Sequence, residues 1–211
     1  MYRKGTGTEA EMEKQLILSI GREFGSGGHE VAELIASKLG IQLIDDRLLY
    51  DLADENRIPY EDAKKYDEKP KNLFFSKTVA GYSSAVEENL AKLQFKYLKK
   101  IADKGQSFVV VGRCSEYVLR EYPGMISAFI LGDRDTKTAR VVKKYQLSEH
   151  EAHKLMKKKD LTRKSYHNYY CDGKWGDSRN YDLCINSSQI GVEGTVEVLL
   201  KFIEQRQSKE D

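Results

Sequence analysis

Apolar residues along the chain fall into two alternating patterns. Short uninterrupted runs occur at 15–20 (QLILSI), 41–44 (IQLI), 107–111 (SFVVV), 126–131 (ISAFIL) and 181–185 (YDLCI). Their length and lack of polar alternation predict buried strands. Between them, apolar positions recur every three or four residues. Val31, Leu34, Ile35 and Leu39 mark a helix over 29–39, and Val86, Leu90, Leu93, Tyr97, Leu98 and Ile101 mark one over 83–104. Gly40 and Gly105 stand where helices stop. Further helices are predicted at 115–121, 135–145, 149–170 and 192–205. Asp45 and Asp46 are placed to cap one that holds Leu48, Leu49 and Leu52. Residues 56–77 are polar, carry Pro59 and Pro70, and predict a mobile excursion. Strands and helices in alternation predict an α/β fold: about five parallel strands with helices on both faces.

Composition narrows the picture. The chain has 211 residues, 40% hydrophobic and 32% charged, which suits one globular domain over 15–206. Residues 1–14 predict a polar flexible leader without an apolar signal core, and 207–211 a tail. With 35 basic and 33 acidic residues the formal charge is +2, so no nucleic-acid partner is expected. No run approaches a membrane span, and no membrane partner is expected. Cys114, Cys171 and Cys184 are few, odd in number and show no CxxC or Cys/His ligand spacing. They suit a reducing, cytoplasmic setting, and no metal-ligating set is expected.

The segment Gly21-Arg22-Glu23-Phe24-Gly25-Ser26-Gly27-Gly28-His29 follows a predicted strand and opens a predicted helix. Glycines there let backbone N–H groups turn toward one anion, aided by the helix dipole. Arg22, Gly25, Ser26, Gly27, Gly28 and His29 are the candidate phosphate-binding set. Against the pattern G-x-x-x-x-G-K-[ST], Arg22 falls on the first glycine, Gly28 on the lysine and His29 on the hydroxyl residue. The lysine that reaches the terminal phosphates and the hydroxyl that helps hold Mg²⁺ are therefore missing. The competing reading is a tight strand-to-helix turn with no ligand.

Arg113 directly follows the FVVVG run. At the carboxyl end of a parallel strand, an arginine can clamp a phosphate or carboxylate with paired hydrogen bonds; the plainer reading is a surface ion pair. Residues 134–164 hold eleven basic and four acidic residues. The ordinary reading is a solvated helix face. The functional one, over 134–170, is a basic lid that folds over the loop and excludes water. Asp160 and Arg163 share a helix face, as an ion pair or as paired ligands for a sugar hydroxyl and a phosphate.

In order, GREFGSGGHEVAELIASKLG, LIDDRLLY, FVVVGRC, Asp160-x-x-Arg163 and WGDSRNYDLCINSSQIG resemble the cytidylate kinase-like family over about 16–203. The resemblance implies a P-loop nucleoside monophosphate kinase fold with an acceptor-binding lobe, here 46–104, and a lid. It implies transfer of the γ-phosphoryl group of ATP–Mg²⁺ to CMP or dCMP. By position, Gly25 to Gly28 would cradle donor phosphates, and Asp45 and Arg47 would shape the acceptor pocket. Arg113 would hold the acceptor phosphate, Asp160 and Arg163 would meet its sugar and phosphate, and Arg140 would bridge both phosphates. Arg113, Arg140 and Arg163 are thus the candidate catalytic residues. Two departures stand out: the absent lysine, and Cys114 where the family carries an aspartate close to the GR pair.

The functional expectation is an enzyme that moves a phosphoryl group to a nucleotide or another small hydroxyl-bearing or phosphorylated substrate. Two alternatives stay open: an anion- or nucleotide-binding module without turnover, and a kinase for a non-nucleotide acceptor. Tyr166, Tyr169, Tyr170 and Trp175 could stack a base but are read as covering a helix–sheet seam. Cys114 lacks a histidine nearby in sequence, and Cys184 is expected in the core.

Overall fold

The computed structural model of the chain describes residues 14–45 and 84–209. Five strands form one sheet: β1 (Ile17–Arg22), β2 (Gln42–Ile44), β3 (Phe108–Val111), β4 (Met125–Leu131) and β5 (Leu183–Asn186). Their order is β2-β3-β1-β4-β5, and every pairing is parallel. The expected α/β sheet is therefore present. Its first two strands in sequence are separated by β3, which enters between them after a long connection.

Because successive strand residues face opposite ways, the apolar runs feed two cores. Leu18, Ile20, Val109, Val111, Ala128 and Ile130 pack with Val31 and Ile35 on one side. Ile17, Phe108 and Val110 pack with Leu98, Ile101 and Leu119 on the other. Helices α1 (Gly28–Leu39) and α6 (Ser187–Gln207) cover the first face; α2 (Ser84–Ala102) and α3 (Ser115–Val118) cover the second. The arrangement is three-layered. This explains why the strands read as continuous apolar runs rather than alternating ones.

Two more helices, α4 (Arg134–Tyr145) and α5 (Glu149–Tyr170), form a hairpin. Val141, Ala152 and Met156 make its small core. The start of α5 carries a capping box, with Ser148 accepting from the Glu151 amide and the Glu151 carboxylate accepting from the Ser148 amide. Helix α6 begins at Ser187, earlier than the sequence pattern predicts. Asn186 caps it through the Ser188 amide, and the helix continues past a kink at Gly191, whose φ of 72° lies outside helical space. The predicted helix after Asp45 and the 56–77 excursion lie outside the described residues.

Candidate active site

The loop after β1 sits where strand order reverses, since β1 is flanked by β3 on one side and β4 on the other. Ligands of open parallel sheets collect at such a point. Gly25 and Gly27 both take left-handed conformations, with φ of 85° and 82°, which L side chains adopt at a cost. A Cβ at Gly25 would meet the Lys137 carbonyl and Val141; one at Gly27 would strike the Arg140 guanidinium. Glycine at both positions thus lets α4 approach the loop backbone.

Gly28, which occupies the lysine position, meets a different wall. A Cβ there would lie 2.6 Å from Cβ of Arg22 and 3.3 Å from Cβ of Ile130. Those two residues are register partners across β1 and β4, so the wall is fixed by the sheet. The absent lysine and the present arginine are one structural fact: the stem of Arg22 fills the space a side chain at 28 would need. Its guanidinium runs away from the loop to pack against Gly112, so closely that any Cβ at 112 would collide with it.

The lid reading of the basic segment divides by residue. Lys154, Lys157, Lys158 and Lys159 are exposed, as the solvated-face reading holds. Lys137, Arg140, Asp160 and Arg163 turn inward instead. Arg140 donates from Nη1 to the Gly25 carbonyl at 3.1 Å, and Lys137 pairs with Glu23 at 2.7 Å. Arg163 donates to the Arg22 carbonyl at 3.4 Å and lies over the Phe24 ring at 5.5 Å. The Asp160 carboxylate accepts from the Phe24 amide at 2.7 Å. No intrahelical pairing of Asp160 with Arg163 is needed to explain them; each reaches the loop separately. Burial pushes the Asp160 carboxyl above its ordinary value, against the Phe24 hydrogen bond and the charges of Arg163 and Lys137.

The loop amides are partly committed within the chain. Besides Phe24, the Ser26 amide reaches the Glu23 carbonyl and the Gly28 amide reaches Ser26 Oγ, both at 3.4 Å. Ser187 Oγ donates to the Ser26 carbonyl at 2.6 Å and tethers the loop to the start of α6. Phe24 packs into the hairpin of α4 and α5 beside Tyr145. His29 lies in the first turn of α1, 3.4 Å from Glu33 and 3.6 Å from Asp45.

Beside the loop lies a second feature, a cavity of about 30 Å³ lined by Arg22, Arg113 and Arg163 together with Glu116, His167 and Trp175. Arg113 is buried, not a surface ion-pair residue. It stands in a run of three left-handed residues, Gly112, Arg113 and Cys114, with φ of 74°, 62° and 54°. Such a strained non-glycine conformation persists only when its surroundings hold it, and clusters at functional sites. Ser115 steadies the turn by bonding the Gly112 carbonyl and Ser19 Oγ. The Nε of Arg163 is buried without a hydrogen-bond partner among the described residues.

Of the remaining expected residues, Asp45 lies against His29 and does not line this cavity, while Arg47 lies outside the described residues. Trp175 and Tyr181 pack on Phe129 at 5.3 and 5.0 Å between ring centres, in agreement with the seam reading. Cys184 is half-buried on β5. The sequence reading singled out neither Glu116 nor the meeting of His167 with Cys171. His167 Nε2 lies 2.6 Å from Glu116 Oε1. Although burial opposes its charge, hydrogen bonds to Cys171 and Glu116 hold His167 up at about 10. A hydrogen bond from Cys114 and one from His167 bring Cys171 down to about 7 against burial. The available signal was the one-turn spacing of His167 and Cys171 on a helix, which a search for CxxC does not register.

A glycine loop at the reversal point of a five-stranded parallel sheet, with arginines closing over it, defines a kinase-type phosphotransferase of the P-loop kind. The comparisons narrow that class. Residues 17–189 match the cytidylate kinase-like family, and the chain belongs to it. A cytidylate kinase from Archaeoglobus fulgidus is 28% identical over 193 residues, covering 89% of this chain and 94% of that protein. A crystal structure of an uncharacterized protein from Eubacterium ventriosum is 40% identical, with a TM-score of 0.73 and coverage of 90% and 99% of the two chains. A shikimate kinase from Bacteroides thetaiotaomicron, 14% identical, covers 90% and 98% with a TM-score of 0.53, a likeness of fold alone. No described helix is long and apolar enough to cross a membrane.

Proposed function

We propose that the chain transfers the γ-phosphoryl group of ATP, taken up with Mg²⁺, to a small acceptor, with CMP or dCMP the leading candidates. The observation that carries this reading is the adjacency of two cation-lined features. The glycine loop lies under Arg140 and Lys137, and the cavity holding Arg113 and Arg22 lies beside it, with Arg163 touching both. A donor phosphate on the first and an acceptor phosphate in the second would present their reacting oxygens to one shared guanidinium. Family membership and the Archaeoglobus relative support the choice of a pyrimidine monophosphate.

The residues fit the phosphate part of the donor. The absence of a side chain at Gly27 lets the Arg140 guanidinium lie against the loop, and the start of α1 presents its positive end there. Fit to Mg²⁺ is looser. With His29 in the hydroxyl position, the ion would be held chiefly by phosphate oxygens and water, with Asp45 beside His29 available to its water shell. Bound Mg²⁺ would neutralise charge on the bridging phosphate oxygens. Arg140 and Arg163 would orient and stabilise the transferring group, Arg113 would hold the acceptor, and the α4–α5 hairpin would exclude water. At about 30 Å³ the cavity has room for little more than a water, so acceptor entry requires α5 to draw back and then close.

One observation favours a second reading, a binding module without turnover. The Asp160 carboxylate already occupies an amide of the loop, and no lysine fits at 28. Coupled ADP release, screened over nucleoside monophosphates and small alcohols beside calorimetry with ATP and CMP, separates the readings. Turnover with CMP or dCMP supports the first; turnover only with an alcohol moves the acceptor class; ATP binding with no ADP release under any acceptor overturns transfer.

A further inference from the structure

A buried cluster of donor side chains lies beside Arg113, and the proposed phosphoryl transfer assigns it no part. We propose that Glu116, His167, Cys171 and Cys114 form a binding site for one Zn²⁺ ion that clamps the end of α5 to the turn carrying Arg113.

The geometry comes from two elements that supply two donors each. Cys114 is the N-cap of α3 and Glu116 lies in its first turn, and the left-handed φ of 54° at Cys114 sets the entry to that helix. His167 and Cys171 lie one turn apart at the end of α5, where the Cys171 amide bonds the His167 carbonyl at 2.9 Å. The donor atoms of Glu116, His167 and Cys171 all lie within 4.8 Å of one another. Cys114 packs with Cys171 in one buried cluster, at 3% and 8% exposure, and its sulfur, outside that three-donor group, turns toward it to serve as the fourth ligand. Tetrahedral zinc with bonds of about 2.0–2.3 Å sets its donors roughly 3.3–3.8 Å apart. Three of the four donors are therefore already gathered close to that scale. Zinc entry opens the 2.6 Å contact between His167 and Glu116 by less than about 1 Å and draws the two sulfurs inward.

Chemistry selects the ion. Two thiols, an imidazole and a carboxylate form a soft-to-borderline set that suits zinc, and the two sulfurs argue against Mg²⁺ or Ca²⁺. The site is thus distinct from any Mg²⁺ carried by the phosphate donor. The outer contacts are in place: His167 Nδ1 faces Asn168 Oδ1 at 3.4 Å, leaving Nε2 toward the cluster, and Asn168 Oδ1 also accepts from the Trp175 amide. Such partners orient a ligating histidine. Charge also balances. Two thiolates and a carboxylate around Zn²⁺ leave one net negative charge beside Arg113, which lines the same cavity. Uptake releases the protons that the thiols and imidazole carry in the metal-free protein.

The test uses the full chain, reduced and stripped with chelator, titrated with Co²⁺ as the spectroscopic probe. The expected result is one equivalent bound with thiolate-to-cobalt charge transfer and the strong visible bands of a tetrahedral site, both abolished by Zn²⁺ competition. Cys184→Ser keeps the spectrum, Cys114→Ser weakens its charge-transfer part, and Cys171→Ser and His167→Gln weaken binding by more than about 100-fold. Absence of charge transfer in the unaltered chain overturns the proposal, whether or not the variants fold. So does retention of full-strength binding in a folded Cys171→Ser/His167→Gln protein, or loss of it in Cys184→Ser. Metal uptake is read without turnover, so the result stands apart from the fate of the kinase reading.

Discussion

If the stem of Arg22 excludes a side chain at 28, then Gly28→Ala must be resisted by Arg22 in particular. Gly28 opens α1, and an added Cβ would approach Cβ of Arg22 to 2.6 Å. Ordinary carbon contacts lie at about 3.5–4.0 Å, so something must shift by close to 1 Å. Neither wall atom swings away easily, because Arg22 and Ile130 are paired across two strands. Overpacking of this kind costs about 1–3 kcal/mol, partly masked by the helical preference of Ala over Gly, worth up to about 1 kcal/mol. A double-mutant cycle with Arg22→Gly removes the mask, since the preference enters both backgrounds and cancels. Urea denaturation of the four proteins should give a coupling of about 1–3 kcal/mol, with Gly28→Ala harmful only when Arg22 is present. A coupling within about 0.5 kcal/mol of zero would falsify the steric account. Lysine at 28 would then be absent for some reason other than space.

Two further outcomes follow from the site. Arg113→Ala should lower the kcat/KM of phosphoryl transfer on the order of 10²–10³-fold, as loss of one preorganised charge donor does, with an unchanged circular dichroism spectrum; equal turnover removes Arg113 from the chemistry. Asp160→Asn tests a pH dependence. The folded-state value of Asp160 is raised above 3.8, so the folded chain binds this proton more tightly than the unfolded one. Its stabilising contribution is complete below that unfolded value and is lost as pH rises through the folded one. Asn keeps an oxygen for the Phe24 amide and cannot ionise. The variant should melt above the parent at pH 7, with the gap closing toward pH 4; a parent that melts higher at pH 7 refutes the sign.

Elements whose apolar residues face a core were legible along the chain. The strands at 108–111 and 125–131 and the helix at 149–170 stand within a residue or two of their predicted bounds, because uninterrupted apolar runs and a break between helical segments near 146–148 are local signals. The loop was legible for the same reason: strand, glycines and helix follow in order. Most of what escaped depends on distance in sequence. That β3 separates β1 from β2 is a matter of strand pairing; the early start of α6 is a local cap, Asn186 on the Ser188 amide, hidden by the non-helical Gly191 that follows. The direction of Arg22 was illegible, since it is set by packing against Ile130 and Gly112 from other strands. Asp160 was read toward a substrate, yet it meets the Phe24 amide, 136 residues away. Glu116 and His167, 51 apart, gave no local sign of meeting.

The short bond from Ser187 to the carbonyl of Ser26 has a consequence for how the protein is born. It joins residues 161 apart, so the glycine loop gains this tether only once the start of α6 has been made. Chains emerge amino end first, and a nascent chain that stops short of 187 carries the glycines without the tether that sets them.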